Sequence, residues 1–190
     1  MVINPIKLVG VWDEGYALDR HTISSTPIGE DVYGHMQFET RRSELGQLLY
    51  EFKYQGKFDN LQSIMDLTIP FLDQCSILKS VDIIIPVPPS IQRPFQPAAE
   101  IARAIATYLD ISFTDQVLQK TSNDQAKNMD RGQKDLSGTI IAVKKAKRPF
   151  RLLLIDDLYS TGETITECVK ILRQDQNLKK IYILTMTKTR

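Results

Sequence analysis

From residue 81 onward, short apolar runs and helical stripes take turns along the chain. Residues 81–85 are a nearly continuous β-branched run closed by PVPP, and residues 97–109 set Ala98, Ile101, Ala102, Ile105 and Leu109 on one stripe. Residues 152–155 form a second apolar run, 165–172 a second helix and 180–184 another strand. Strands separated by helices specify a mostly parallel sheet with helices packed on both of its faces. Strands that are apolar throughout fit burial on both sides. Residues 112–117 and 138–143 are further strand candidates.

The first eighty residues read differently. Residues 9–12 suggest a short strand. Residues 22–36 are polar, contain Pro27, Gly29 and Gly34, and suggest a hairpin or loop. From Ser43 on, Leu45, Leu48, Leu49 and Phe52 recur at helical spacing up to a turn at Gly56, and a second helix is expected over 60–72. The chain of 190 residues is thus expected to carry an N-terminal α+β extension, residues 1–80, ahead of an α/β ligand-binding domain, residues 81–190.

Charge and cysteine content exclude several function classes. The 24 basic and 23 acidic residues nearly cancel, so no global nucleic-acid footprint is present. Lys144, Lys145, Lys147 and Arg148 form a basic turn that reads as solvated. The two cysteines, Cys75 and Cys168, form no CxxC pair and read as free thiols. No apolar stretch reaches the ~20 residues that a membrane span needs. The N-terminus lacks the apolar core of a secretion signal, so a cytoplasmic location is expected.

The most informative segment is LLLIDDLYSTGET at residues 152–164. It sets Asp156 and Asp157 at the carboxyl end of an expected central strand, where open α/β sheets bind ligands. The following turn leads into a helix whose first N–H groups are unpaired and suit a phosphate. Gly162 lets backbone approach a ligand, and Ser160, Thr161 and Thr164 add hydroxyl donors. One segment therefore offers acceptors for hydroxyl groups beside donors for a phosphate, as a ribose 5-phosphate requires. The pattern is neither a Walker A loop nor a dinucleotide fingerprint. Turn and helix-cap aspartates, or a two-carboxylate metal site, stay open as readings of the acids alone.

Four apolar residues, two acids, two further residues and S-T-G-E-T resemble the 5-phosphoribosyl-1-pyrophosphate (PRPP) motif of type I phosphoribosyltransferases, unbroken over residues 152–164. That resemblance implies the type I phosphoribosyltransferase fold. It implies that Asp156 and Asp157 bind the ribose 2′ and 3′ hydroxyls. Tyr159, Ser160, Thr161, Gly162, Glu163 and Thr164 would cradle the 5′-phosphate. The chain more closely resembles the ComF branch. IIPVPPS at 84–90 is similar to that branch's loop after the first strand, which implies pyrophosphate contact, often on a strained backbone, by Pro86, Val87, Pro88 and Pro89. Arg93 with Phe95 and Gln96 resembles R-G-F-N-Q, with Pro94 and Pro97 replacing the glycine and the final glutamine. Gln125 and Arg131 resemble a Q…R…N segment in the polar stretch 119–137, with Asp135 near the asparagine. EFKYQGK at 51–57 resembles the L-K-Y-x-G block. The four-cysteine zinc knuckle that often opens ComF proteins is absent, which weakens an inference to DNA uptake.

The resemblance implies transfer of phosphoribose from PRPP to a nitrogen acceptor with release of pyrophosphate. It implies Mg²⁺ held mainly by substrate oxygens and water, with few protein ligands. Asp156, Asp157, Arg93 and Arg131 are the expected catalytic residues, and Arg93, Lys120, Lys127 and Arg131 the cations near pyrophosphate. Trp12 or Tyr16 is a candidate to stack on an acceptor base. The competing expectations are a non-catalytic PRPP sensor or competence accessory, and a generic sugar-phosphate binder. Homodimers are common among such proteins, while the apolar pattern here neither requires nor excludes one. No membrane or nucleic-acid partner is expected.

Overall fold

A computed structural model describes residues 3–89, 95–120 and 140–189. Its main sheet has six strands: β1 (Ile6–Lys7), β2 (Glu14–Arg20), β5 (Ile83–Pro86), β6 (Ser112–Phe113), β9 (Phe150–Tyr159) and β10 (Leu178–Lys188). Their order across the sheet is β1-β2-β10-β9-β5-β6. Every neighbouring pair is parallel except β1 with β2 at one edge. The expected mostly parallel sheet is what the chain forms.

Alternation along the central strands builds two cores. Leu153, Ile155, Leu184 and Met186 face one side, where helices α1 (Glu44–Tyr54), α2 (Asn60–Gln74) and α3 (Pro97–Leu109) bury Leu49, Phe52, Ile64, Ile101 and Ile105. Leu152, Leu154, Ile181 and Ile183 face the other, against Ile165, Cys168 and Val169 of α4 (Glu163–Leu172). Helices therefore cover both faces, as all-apolar parallel strands require.

The segment before residue 80 is woven into this body. Strand β2 pairs with β10 in parallel register from Glu14 with Tyr182 to Arg20 with Lys188. Leu45, Leu49, Phe52 and Ile64 share one core with Ile84, Ile101 and Leu153. The division expected near residue 80 thus runs through a common sheet and a common core.

Residues 9–12, expected as a strand, are bent instead. The Trp12 indole folds back so that its Nε1–H donates to the Leu8 carbonyl at 3.1 Å, and the ring occupies the space a side chain at Gly10 would need. The strand begins only at Glu14. Residues 22–42 form a hairpin, β3 (Thr22–Glu30) with β4 (Met36–Arg42), outside the main sheet. Strands β7 (Leu118–Lys120) and β8 (Ile140–Ala142) make a second antiparallel pair, so the strand expected at 138–143 lies off the main sheet. Among the described residues no helix is long and apolar enough to cross a membrane.

Candidate functional site

The sheet changes direction between β5 and β9. From β5 the chain runs through α3 to β6 on one side; from β9 it runs through α4 to β10 on the other. Between two strands that lead apart, no connection covers the carboxyl ends, and ligands bind there. The loop after β5 and the end of β9 line a cavity of about 650 Å³ at this point. Its walls include Pro86–Pro89, Asp156, Asp157, Thr164, and the start of α3 at Gln96–Ala99. A larger cavity, about 890 Å³, opens at the amino ends of β5 and β9 below the basic turn of Lys144 to Arg148. Two of its acids, Asp82 and Asp175, accept backbone N–H groups of Arg151 and Ala146, so the smaller cavity is the better candidate.

Asp156 and Asp157 are consecutive residues near the end of β9, and both line the cavity. The Asp157 N–H donates to Asp156 Oδ1 at 2.9 Å. Burial, and after it the Asp157 carboxylate, hold Asp156 well above the usual carboxylate range. Asp157 accepts from Lys53 Nζ of α1 at 2.5 Å, and both side chains are largely sheltered. Burial disfavours the Lys53 charge, yet the attraction of Asp157 and its hydrogen bond outweigh that, and Lys53 stays charged above its usual range. Sequence reading missed this lysine as a site residue. Its only signal was its place in EFKYQGK, since nothing local points from α1 to β9.

The turn from β9 to α4 has the expected form. Gly162 caps α4 with φ of +81°, a left-handed conformation that favours glycine, and a Cβ there would collide with the Tyr159 hydroxyl. Gly162 has no side chain to cap the helix, and the first N–H, that of Glu163, makes only a long hydrogen bond to Thr161 Oγ1 at 3.4 Å, so first-turn N–H groups can turn to an anion. Thr164 lines the cavity, whereas Ser160, Thr161 and Glu163 are exposed along the turn. The Tyr159 ring meets Trp12 edge-on at 6.3 Å and packs against the second core.

The loop after β5 is stitched to β9 by the Val87 N–H, which donates to the Ile155 carbonyl at 2.8 Å. Among the described residues the only non-glycine with positive φ is Asp110, which caps α3, so residues 86–89 show no left-handed strain. Lys120 lines the cavity with Asp157. Arg93, Gln125, Lys127, Arg131 and Asp135 lie outside the described residues. Trp12 is buried, and Tyr16 packs on Phe71 while donating to Glu14. Neither lines the cavity; among the described residues the aromatic that does is Tyr54. Cys168, buried beside Asp156, is pushed up to about 12 by burial and then by that carboxylate, which makes it a poor nucleophile.

No family model matches the chain. It is similar to Competence protein F of Haemophilus influenzae. The two are 27% identical over 142 residues, which cover 68% of this chain and 62% of that protein. The chain thus spans about three-fifths of the length of that relative. The resemblance to ComF seen in the motifs is borne out by this similarity. Among solved structures it is similar to adenine phosphoribosyltransferase from Thermoanaerobacter pseudethanolicus, with a TM-score of 0.46, 13% identity, and 87% and 95% of the two chains covered. It is also similar to orotate phosphoribosyltransferase from Aeropyrum pernix, with a TM-score of 0.44, 12% identity, and 86% and 74% covered.

Proposed function

We propose that this chain binds PRPP and transfers its phosphoribosyl group to a nitrogen acceptor, releasing pyrophosphate. The observation that carries this reading is the pair Asp156–Asp157 at the point where the sheet changes direction, followed at once by the Gly162 turn into α4. Two carboxyl groups accept from a ribose diol, and the glycine-led start of α4 lies next along the chain to receive a 5′-phosphate. A cavity of about 650 Å³ is in the range of small-molecule sites.

In the reaction, the acceptor nitrogen gives its lone pair to C1 of the ribose, and the C1–oxygen bond breaks with its electrons leaving on pyrophosphate. The chain's part is to hold the two reactants in line and shelter the cationic ribosyl centre. Among the described residues no cluster of three metal-ligating side chains exists. The donors present, two adjacent carboxylates with one already paired to Lys53, suit Mg²⁺ carried by pyrophosphate oxygens and water. A Mg²⁺ ion held there would supply charge neutralisation for the leaving pyrophosphate. Arg93, Arg131 and Lys120 are the cations proposed to share that task.

Similarity to Competence protein F supports a second reading, a PRPP-binding competence accessory without turnover. Calorimetry separates binding from its absence. Asp156→Asn with Asp157→Asn is expected to abolish PRPP binding in a folded protein, and unchanged affinity would overturn the assignment. Pyrophosphate release from PRPP and Mg²⁺ across nucleobases, ammonia and glutamine separates the enzyme from the accessory. Tight binding with no release favours the accessory.

A further inference from the structure

The Lys53–Asp157 contact joins residues 104 apart in the chain and ties the segment before residue 80 to the crevice. Its geometry is set from the far end of α1. Ser43 caps the helix by accepting from the Gly46 N–H at 3.0 Å, and its hydroxyl donates to the Arg20 carbonyl. Gly46 sits so close to the His21 carbonyl that a Cβ there would overlap it. At the other end, Asn60 donates to the Leu48 carbonyl at 3.2 Å and to Glu51 at 3.1 Å. Helix α1 is thereby seated at both ends, and Lys53 reaches the crevice from a fixed base. Its ammonium also lies 5.8 Å from the Tyr54 ring, which lines the same cavity.

We propose that Lys53 is a positioning residue of this site, which aims the Asp157 carboxylate at a sugar diol and offsets one of two adjacent negative charges. The proposal rests on the sugar-phosphate reading of the crevice. Two unscreened carboxylates side by side would repel an anionic ligand. Pairing Asp157 to a lysine offsets its negative charge and locks that carboxylate in direction. The Asp157 carboxylate, held by Lys53 through Oδ2, is the group that accepts from the ligand hydroxyl in this proposal. The consequence is a specificity: Lys53 acts on ligands that carry the diol.

The test uses the whole chain, its Lys53→Met and Lys53→Arg variants, and three ligands: PRPP, ribose 5-phosphate and 2-deoxyribose 5-phosphate. Lys53→Met is expected to weaken PRPP by about tenfold or more, and to bring the ribose-to-deoxyribose preference close to unity. Lys53→Arg, which keeps the charge, is expected to stay within about threefold of the wild type and to retain the preference. Thermal unfolding checks that both variants fold. If Lys53→Met binds like the wild type, or loses both sugar phosphates equally, the positioning role falls while the sugar-phosphate reading stands. If the wild type binds neither PRPP nor ribose 5-phosphate, both fall together, and the wild-type measurement alone reveals it.

Discussion

Asp156 gives up its proton less readily than an exposed aspartate does. Burial and the neighbouring Asp157 raise it well above the ordinary value of 3.8. The folded protein therefore binds that proton more tightly than the unfolded chain does. The resulting stability is fully present below pH 3.8 and is lost as the pH climbs through the raised value. Asp156→Asn cannot ionise and still accepts from the Asp157 N–H. It should be more stable than the wild type at about pH 8, with the difference shrinking toward about pH 4. Thermal unfolding of both proteins across that range measures it, and a pH-independent difference would contradict the burial argument. Asp156, Asp157, Gly162 and Thr164 were legible because a strand, a turn and a helix start are local signals. Lys53 was not, because its partner is distant in sequence and a lysine on a helix ordinarily reads as a solvated charge.

At the scale of elements, the helices and the central strands could be read from periodicity. Helix α3 spans Pro97–Leu109 as expected, with proline at its first turn. Strand β2 could not be read. EGYALDR is charged at both ends, and its buried Ala17 and Leu18 acquire meaning only beside β10 and α1. Asp13, just before it, accepts from Arg173, from Lys180 and from the Ile181 N–H, which pins the strand's start to β10. Helix α1 depends on the close approach at Gly46. Gly46→Val is expected to lift the helix from the His21 carbonyl and cost about 1–3 kcal/mol, with denaturant unfolding as the measure. It should also weaken PRPP, because Lys53 is drawn back with the helix.

For the molecule as a whole, the reading of residues 1–80 as an extension described their composition rather than their place. They supply an inner strand, β2, and much of one core. Residues 81–190 alone would leave one edge of β10 unpaired and uncover Leu184 and Met186 of β10, against which α1 and α2 now pack. That fragment is expected to aggregate and to show no cooperative unfolding transition in calorimetry, whereas a cooperative transition would mean that the first eighty residues are dispensable. The pairing of β2 with β10 also bears on how the chain matures. On the ribosome, β2 is made among the first strands and its neighbour last. Until Leu178–Lys188 emerges, β9 has no partner on that side and β2 no place in the sheet. Loop closure across nearly the whole chain must come before the crevice exists. A nascent chain of this kind waits with its apolar strands uncovered, and it is during synthesis that it most needs a chaperone's shelter.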